Sequence, residues 1–306
     1  MRIIQSFWTK PFVNPSSKTF ESRFQGGFME DKQFIYTWAL SLLSIKEQFP
    51  QVHLITDQLG KKAWIDFFEF PYDSYSIELT TLNDFPTDLW AAGKLYSYSK
   101  VKEPFIHFDV DVILGKLFDH SKLDSDLLVE FHYDDQKLNR YNTIIEKLVN
   151  SNIKMSSECM QMINQKGFNY NDYNLGITGG NDFAFFNRYA KKASSDLQKN
   201  LPLVDPKDKI TASFFNCFFE QFYFYNQVKK ESRAVIKLIE NTILEDIDYQ
   251  KYKIESGINN CDFIHLHGGF KRIYPTLAEK WLKEIYPSFY QHINSKLAYI
   301  NSTKIN

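Results

Sequence analysis

The first third of the chain alternates short apolar runs with helical periodicity, and no other feature narrows its fold as far. Arg2 to Phe7 reads as a strand. Phe34, Trp38, Leu42, Ile45 and Phe49 then recur at spacings of 4, 4, 3 and 4, which is one face of a helix. Val52 to Thr56 (VHLIT) is a short apolar run closed by Asp57, the pattern of a strand buried on both faces. A helical piece over Lys61 to Phe68, a strand near Ser76 to Leu79 and a helix from Leu89 to Ser99 lead to the strongest strand, Phe105 to Leu114. Strands separated by helices pair through crossovers, so the expected class is α/β, with one mixed, mainly parallel sheet and helices on both faces.

The second half is less regular. Leu127 to His132 (LLVEFH) reads as a strand, Leu138, Tyr141, Ile145 and Leu148 mark a helix, and Asn181-Asp182 would cap a helix from Phe183 to about Lys199. A long aromatic helix is expected over Asp208 to Lys230, strands over Ala234 to Leu238 and Cys261 to Leu266, and a closing amphipathic helix over Leu277 to Ile293. No repeat or Gly/Ser/Pro-rich linker divides the chain. One domain over residues 1–306 is therefore expected, with a sheet-building half at 1–120 and a more elaborated half at 121–306.

Charge excludes one class of partner. Lysine and arginine (36) nearly cancel aspartate and glutamate (37), and the net charge of −1 gives no cationic field for nucleic acid. Aromatic residues make up 17%, enough for a Phe-rich core and also for stacking platforms under sugars or bases. Three cysteines (Cys159, Cys217, Cys261), odd in number and far apart, suit a reducing compartment. The opening apolar run is too short for a signal peptide, and no window reaches the roughly 18 apolar residues of a membrane helix. A cytoplasmic protein is the expectation. The aromatic and basic stretch from Lys280 to Tyr299 suggests peripheral contact with the inner membrane face.

Chemistry concentrates in Phe105-Ile106-His107-Phe108-Asp109-Val110-Asp111-Val112-Ile113-Leu114. On a continuous strand Asp109 and Asp111 would point the same way, roughly 6.5 Å apart along the chain, opposite an apolar face. Two carboxylates at that spacing repel by about 2.5 kcal/mol at an effective dielectric near 20. A divalent cation such as Mg²⁺ or Mn²⁺ relieves that repulsion with oxygen ligands; solvation or a salt bridge at a strand end is the plainer alternative. A second constellation, Phe263-Ile264-His265-Leu266-His267-Gly268-Gly269-Phe270-Lys271, puts two imidazoles on one strand face beside a glycine pair and a lysine. A third, Asn174-Leu175-Gly176-Ile177-Thr178-Gly179-Gly180-Asn181-Asp182, reads as a polar, glycine-rich turn ahead of a helix. Glu130 and the Asp134-Asp135 pair read as a solvated loop, and His107 as a core histidine.

Taken in this order, the motifs resemble the GT-A-fold glycosyltransferases, and within them the family 8 type to which glycogenin and bacterial lipopolysaccharide galactosyltransferases belong. The resemblance implies that Asp109 and Asp111 form a D-x-D pair holding Mn²⁺ or Mg²⁺ and the donor diphosphate. It implies that His265, Gly268 and Lys271 form a His-x-x-Gly-x-x-Lys element, with His265 as third metal ligand and Lys271 on the diphosphate. Asn174 and Gly176 would lie beside the donor sugar, and Lys94 would be the basic residue on the helix before the D-x-D strand. The donor implied is a nucleotide sugar, a UDP-sugar before others, and the acceptor a glycan or lipid-linked saccharide. Residues 1–120 would then be the nucleotide-binding half and 121–306 the half that completes the metal site and receives the acceptor.

Departures from that pattern shape three further expectations. The first strand ends Gln5-Ser6-Phe7-Trp8-Thr9 without the usual acid, leaving Trp8 to stack on the base. The late catalytic Asp-Gln pair is echoed by Glu220-Gln221, and Arg272-Ile273 replaces the usual Pro-Trp. Two rival readings remain open. One is a non-catalytic sugar- or nucleotide-binding protein on the same fold; the other is a phosphohydrolase of the haloacid dehalogenase type, in which Asp109 would be the nucleophile.

Overall fold

The computed structural model describes residues 1–13, 24–134, 142, 145–146, 149–150, 153–166, 168–203, 214–240 and 243–303. Its strands are β1 (Arg2–Phe7), β2 (Val52–Thr56), β3 (Ser74–Ser76), β4 (Phe105–Phe108), β5 (Val112–Leu114) and β6 (Leu128–Val129). They continue with β7 (Phe131–Asp134), β8 (Asn171–Asn174), β9 (Ile177–Gly180), β10 (Ile236–Lys237) and β11 (Phe263–His265). Among the described residues, seven strands make one sheet in the order β10-β6-β9-β4-β1-β2-β3. β3, β2, β1 and β4 run parallel, as do β6 and β10. β9 alone runs antiparallel, between β4 and β6. The α/β class with a mixed, mainly parallel sheet is as the alternation requires, and that sheet draws strands from both halves of the chain.

The helix Asp31–Lys46 carries the apolar stripe seen in the sequence and is buried over most of its circumference, with Phe34, Trp38, Leu42 and Ile45 at most 1% exposed. Gln33 Oε1 accepts from the Glu30 amide at 3.3 Å, closing the helix start. Trp38 packs 4.5 Å from Trp64 between ring centroids. Its indole donates to Tyr72 Oη at 2.6 Å, and Tyr72 Oη donates to Gln5 Oε1 at 2.5 Å. The buried polar end of β1 is thus tied to the aromatic core, not left for a ligand.

Several expected elements are broken where the sequence suggested continuity. Phe105 to Leu114 is two strands: β4 joins the main sheet, β5 pairs antiparallel with β11, and Val112 N donates to Asp109 O at 3.0 Å across the turn. Leu127 to His132 likewise splits at Glu130 into β6 and β7. The glycine-rich stretch is not an open turn. It is β8 and β9, hinged at Leu175-Gly176, with Gly179 and Gly180 (φ 149° and 136°) pressed so close to Phe105 O and Asp126 O that a Cβ would lie 2.1 and 2.2 Å from them. Three strand pairs therefore change sheet at one level. Runs of period 2 continue through such a switch, so periodicity does not reveal it.

Ser74–Ser76 is the third strand, and a 3-10 turn occupies Glu78–Leu82 where the strand was expected to continue. Of the long aromatic helix, the described part runs through a π turn, Phe218–Phe222, into Tyr223–Lys230; Asp208 itself lies outside the described residues. Leu138, Tyr141, Leu148 and Asp135 lie outside them too. The closing helix is two, Leu277–Ile285 and Pro287–Thr303, because Tyr286 before the proline is excluded from helical backbone (φ −126°, ψ 58°). The stretch from Lys280 to Tyr299 is docked along one side only, and Tyr299 is 62% exposed. Ile293 is fully buried, Phe289 and Tyr290 pack on the core, and Asn294 accepts from Tyr36 Oη at 2.6 Å. No helix among the described residues is long and apolar enough to cross a membrane.

Candidate functional site

The level at which the strand pairs switch sheet carries the polar residues. Asp109 and Asp111 occupy the β4–β5 turn, Glu130 the β6–β7 break, Gly176 the β8–β9 hinge, and His265 ends β11. Backbone bonds clamp these breaks together: Asp109 N to Gly176 O at 2.7 Å, Glu130 N to Asn174 O at 3.1 Å, and Leu266 N to Asp111 O at 3.0 Å. One ligand atom from each of Asp109, Asp111 and His265 lies within 4.8 Å of the other two. That separation suits one small cation shared by two carboxylate oxygens and an imidazole nitrogen.

Each acid has its own retinue. Lys94, on the helix Ala91–Lys100, places Nζ 3.0 Å from Asp109 Oδ1 and 2.5 Å from Glu220 Oε1, and donates to Leu175 O at 3.0 Å. Burial works against the Lys94 charge, but Asp109 and Glu220 more than offset it and its pKa is raised. His107 is fully buried, with Nε2 2.9 Å from Ser6 Oγ and Nδ1 3.3 Å from Tyr98 Oη. Burial drives its pKa down to about 3, against a pull upward from Asp109, so it stays neutral.

On the other side, Lys271 Nζ lies 2.7 Å from Asp111 Oδ2 and donates to Gly26 O at 2.8 Å. His265 places Nε2 3.3 Å from Asp111 Oδ1 and Nδ1 2.7 Å from Glu130 Oε2. Burial would lower its pKa, yet Glu130 and Asp111 overcome this and raise it to about 10.

The structure thus brings Asp109, Asp111, His265, Lys94, Lys271 and Gly176 together, with Glu220 behind Lys94. Glu220 is fully buried and meets Lys94; it does not line the cleft. Gln221, one position further round the π turn, makes no hydrogen bond or ion pair to the cluster among the described residues. Asn174 turns its Oδ1 to its own backbone, accepting from Gly176 N at 2.8 Å, which shapes the hinge. Gly268 (φ 52°) holds the turn between His265 and Lys271, a conformation that favours glycine. Trp8 lines a cleft beside the acids with Trp90, Gly93, Lys94, Asp109 and Asp111; the cavity there is about 70 Å³. Gly93 lets it pack so closely that an added Cβ would lie 2.9 Å from Trp8 Cβ. Its Nε1 is buried with no hydrogen-bond partner among the described residues.

Glu130 is the residue that sequence reasoning misplaced. It is fully buried, not in a solvated loop. The available signal was a single acid inside LLVEFH, because a carboxylate flanked by apolar residues on both sides needs a buried partner.

The chain belongs to the family described as a family of unknown function (DUF6734), whose profile matches residues 1–296. No curated protein sequence matches it. Among solved structures it is similar to mouse xyloside xylosyltransferase 1 in its apo form, at 11% identity and a TM-score of 0.38, over 86% of this chain and 96% of that one.

Proposed function

We propose that this protein is a metal-dependent glycosyltransferase that moves a sugar from a nucleoside diphosphate donor, a UDP-sugar before others, to a glycan or lipid-linked acceptor. The observation that carries the reading is the convergence of Asp109, Asp111 and His265 within 4.8 Å, flanked by a buried lysine on each acid. Carboxylate oxygens from Asp109 and Asp111 and Nε2 of His265 would hold Mn²⁺ or Mg²⁺. Once bound, the ion supplies Lewis-acid stabilisation of the diphosphate leaving group. The lysines do the rest. In this structure Lys271 neutralises Asp111; with the acid turned to a cation, its ammonium meets a diphosphate oxygen and stabilises charge growing there as the sugar–phosphate bond breaks. Lys94, held by Asp109 and Glu220, balances the charge of the first acid and keeps it aimed into the cleft. Glu220 acts through Lys94, and Trp8 Nε1–H is a donor for the nucleotide.

A thermal-shift panel of nucleotide sugars with Mn²⁺, repeated under chelation, tests this. A metal-dependent rise in melting temperature for one diphosphate sugar is expected, with donor hydrolysis in its presence. Asp111→Asn should lose at least about 100-fold in metal-dependent nucleotide affinity, because it removes a charged ligand. An Asp111→Asn protein that binds nucleotide and Mn²⁺ like the wild type would sink the assignment, and turnover of a generic phosphate monoester would point to a phosphohydrolase instead.

A further inference from the structure

Glu130 has no place in the chemistry so far, yet it is fully buried between β6 and β7 and touches the imidazole beside Asp111. Resting on the metal-binding reading above, we infer that Glu130 is the positioning residue for His265: its carboxylate accepts a hydrogen bond from Nδ1–H and leaves Nε2 as the metal-binding nitrogen. The two ring nitrogens are already divided this way. Nδ1 is 2.7 Å from Glu130 Oε2, and Nε2 is 3.3 Å from Asp111 Oδ1, on the side of the acid pair. A metal-bound imidazole is a stronger and better-aimed ligand when its other N–H is held by a carboxylate.

A second residue belongs to the same device. A Cβ on Gly176 would lie 2.3 Å from His265 Cε1, 2.5 Å from His265 Nδ1 and 2.4 Å from Glu130 Oε2. No rotamer change of one partner clears all three contacts, since both side chains are buried. Glycine at 176 is thus demanded by the His265–Glu130 contact, independently of any sugar nearby. The same residue accepts from Asp109 N, so one hinge sets both the first acid and the imidazole.

Zn²⁺, as a diamagnetic probe, with ¹⁵N-labelled histidine and NMR detection decides which nitrogen carries the metal. In the wild type His265 should show Zn²⁺ on Nε2 and a slowly exchanging proton on Nδ1. That proton signal should vanish in Glu130→Ala, with Mn²⁺ affinity by calorimetry ten- to a hundredfold weaker. Glu130→Gln, which keeps an acceptor of the same shape, should stay within tenfold of the wild type, whereas a Glu130 that ligated the metal itself would make Gln as damaging as Ala. Gly176→Ala should also weaken Mn²⁺ binding without nucleotide present. Zn²⁺ on Nδ1 in the wild type, or Glu130→Ala and Gly176→Ala proteins that bind Mn²⁺ as the wild type does, would overturn the proposal and spare the metal reading. A wild type that binds neither Mn²⁺ nor Zn²⁺ would sink both. The wild-type NMR result stands even where a variant fails to fold.

Discussion

The two acids of one short motif live in different surroundings. Asp109 has a side chain 18% exposed and shares Lys94 with a second carboxylate, Glu220, while the histidine nearest it, 3.8 Å away, is neutral. Asp111 is 5% exposed and is held by two cationic groups, His265 at the end of β11 and Lys271 just beyond it. Excess negative charge gathers around the first acid and a balanced quartet (Asp111, Glu130, Lys271, His265) around the second. Residues that look equivalent two positions apart are therefore not interchangeable: Asp109 faces the cleft, and Asp111 ties the late segment to the sheet.

The largest test of that asymmetry is stability. In chelator at pH 7, Asp111→Ala removes the carboxylate that buried Lys271 and His265 share, and breaking a buried ion pair by removing one partner costs about 3–5 kcal/mol. Asp109→Ala leaves Lys94 still beside Glu220, so a loss of about 1–2 kcal/mol is expected, the scale of one charged hydrogen bond at a partly exposed site. Urea denaturation of both variants measures this. Equal losses, or the reverse ranking, would break the comparison.

Lys94 comes next. Lys94→Met removes the cation that Glu220 and Asp109 share and should cost about 3 kcal/mol, while Lys94→Met with Glu220→Leu should recover about 1–2 kcal/mol of that, because the stranded carboxylate goes too. A double variant no better than the single would mean that Glu220 is not held by Lys94. Such a result would reopen a direct role for Glu220 in the cleft.

The parts of this arrangement that were legible in the sequence are those carried by pattern. β1, β2 and the helix beginning at Asp31 follow from apolar runs and a 4-4-3-4 stripe, and Asp182 caps its helix as expected, accepting from Phe185 N at 2.9 Å. The convergence of Asp109, Asp111, His265, Lys94 and Lys271 was legible only through the family resemblance that their motifs carry; from the residues alone, just the Asp109–Asp111 repulsion called for a compensating charge. What was not legible is the switching of strands between sheets. β4 and β5 read as one strand because alternation passes unbroken through Asp109-Val110-Asp111, and the turn there is made by a backbone bond that no residue type announces. The role of Glu130 was lost with it, since its partner lies on β11 and only the three-dimensional pairing of β5 with β11 brings His265 within reach.

The smallest effect concerns a third buried histidine, and it calibrates the other two. His265 touches two carboxylates and has a pKa of about 10; His107 has one acid 3.8 Å away with Lys94 beyond it, and a pKa of about 3. His53, on β2, touches no carboxylate among the described residues: its Nδ1 lies 2.7 Å from Ser74 Oγ. The cleft around it is lined by Arg2, Glu78, Lys100, Lys102 and Glu103. Burial, with a smaller push from Arg2, takes its pKa down to about 4. Unfolded, the same imidazole titrates near about 6.5, so the unfolded chain takes up the proton first. The contribution of a neutral His53 is thus fully present above about pH 6.5, is lost as pH falls toward about 4, and changes no further below that. With partial solvent access it amounts to about 1–2 kcal/mol. His53→Gln removes this titration, so the stability difference between wild type and variant should shrink by that amount from pH 7 to pH 4.5 in urea denaturation. A difference that stays constant across that range would show that burial alone does not hold a histidine neutral in this sheet, and the neutral state assigned to His107 would need a cause other than desolvation.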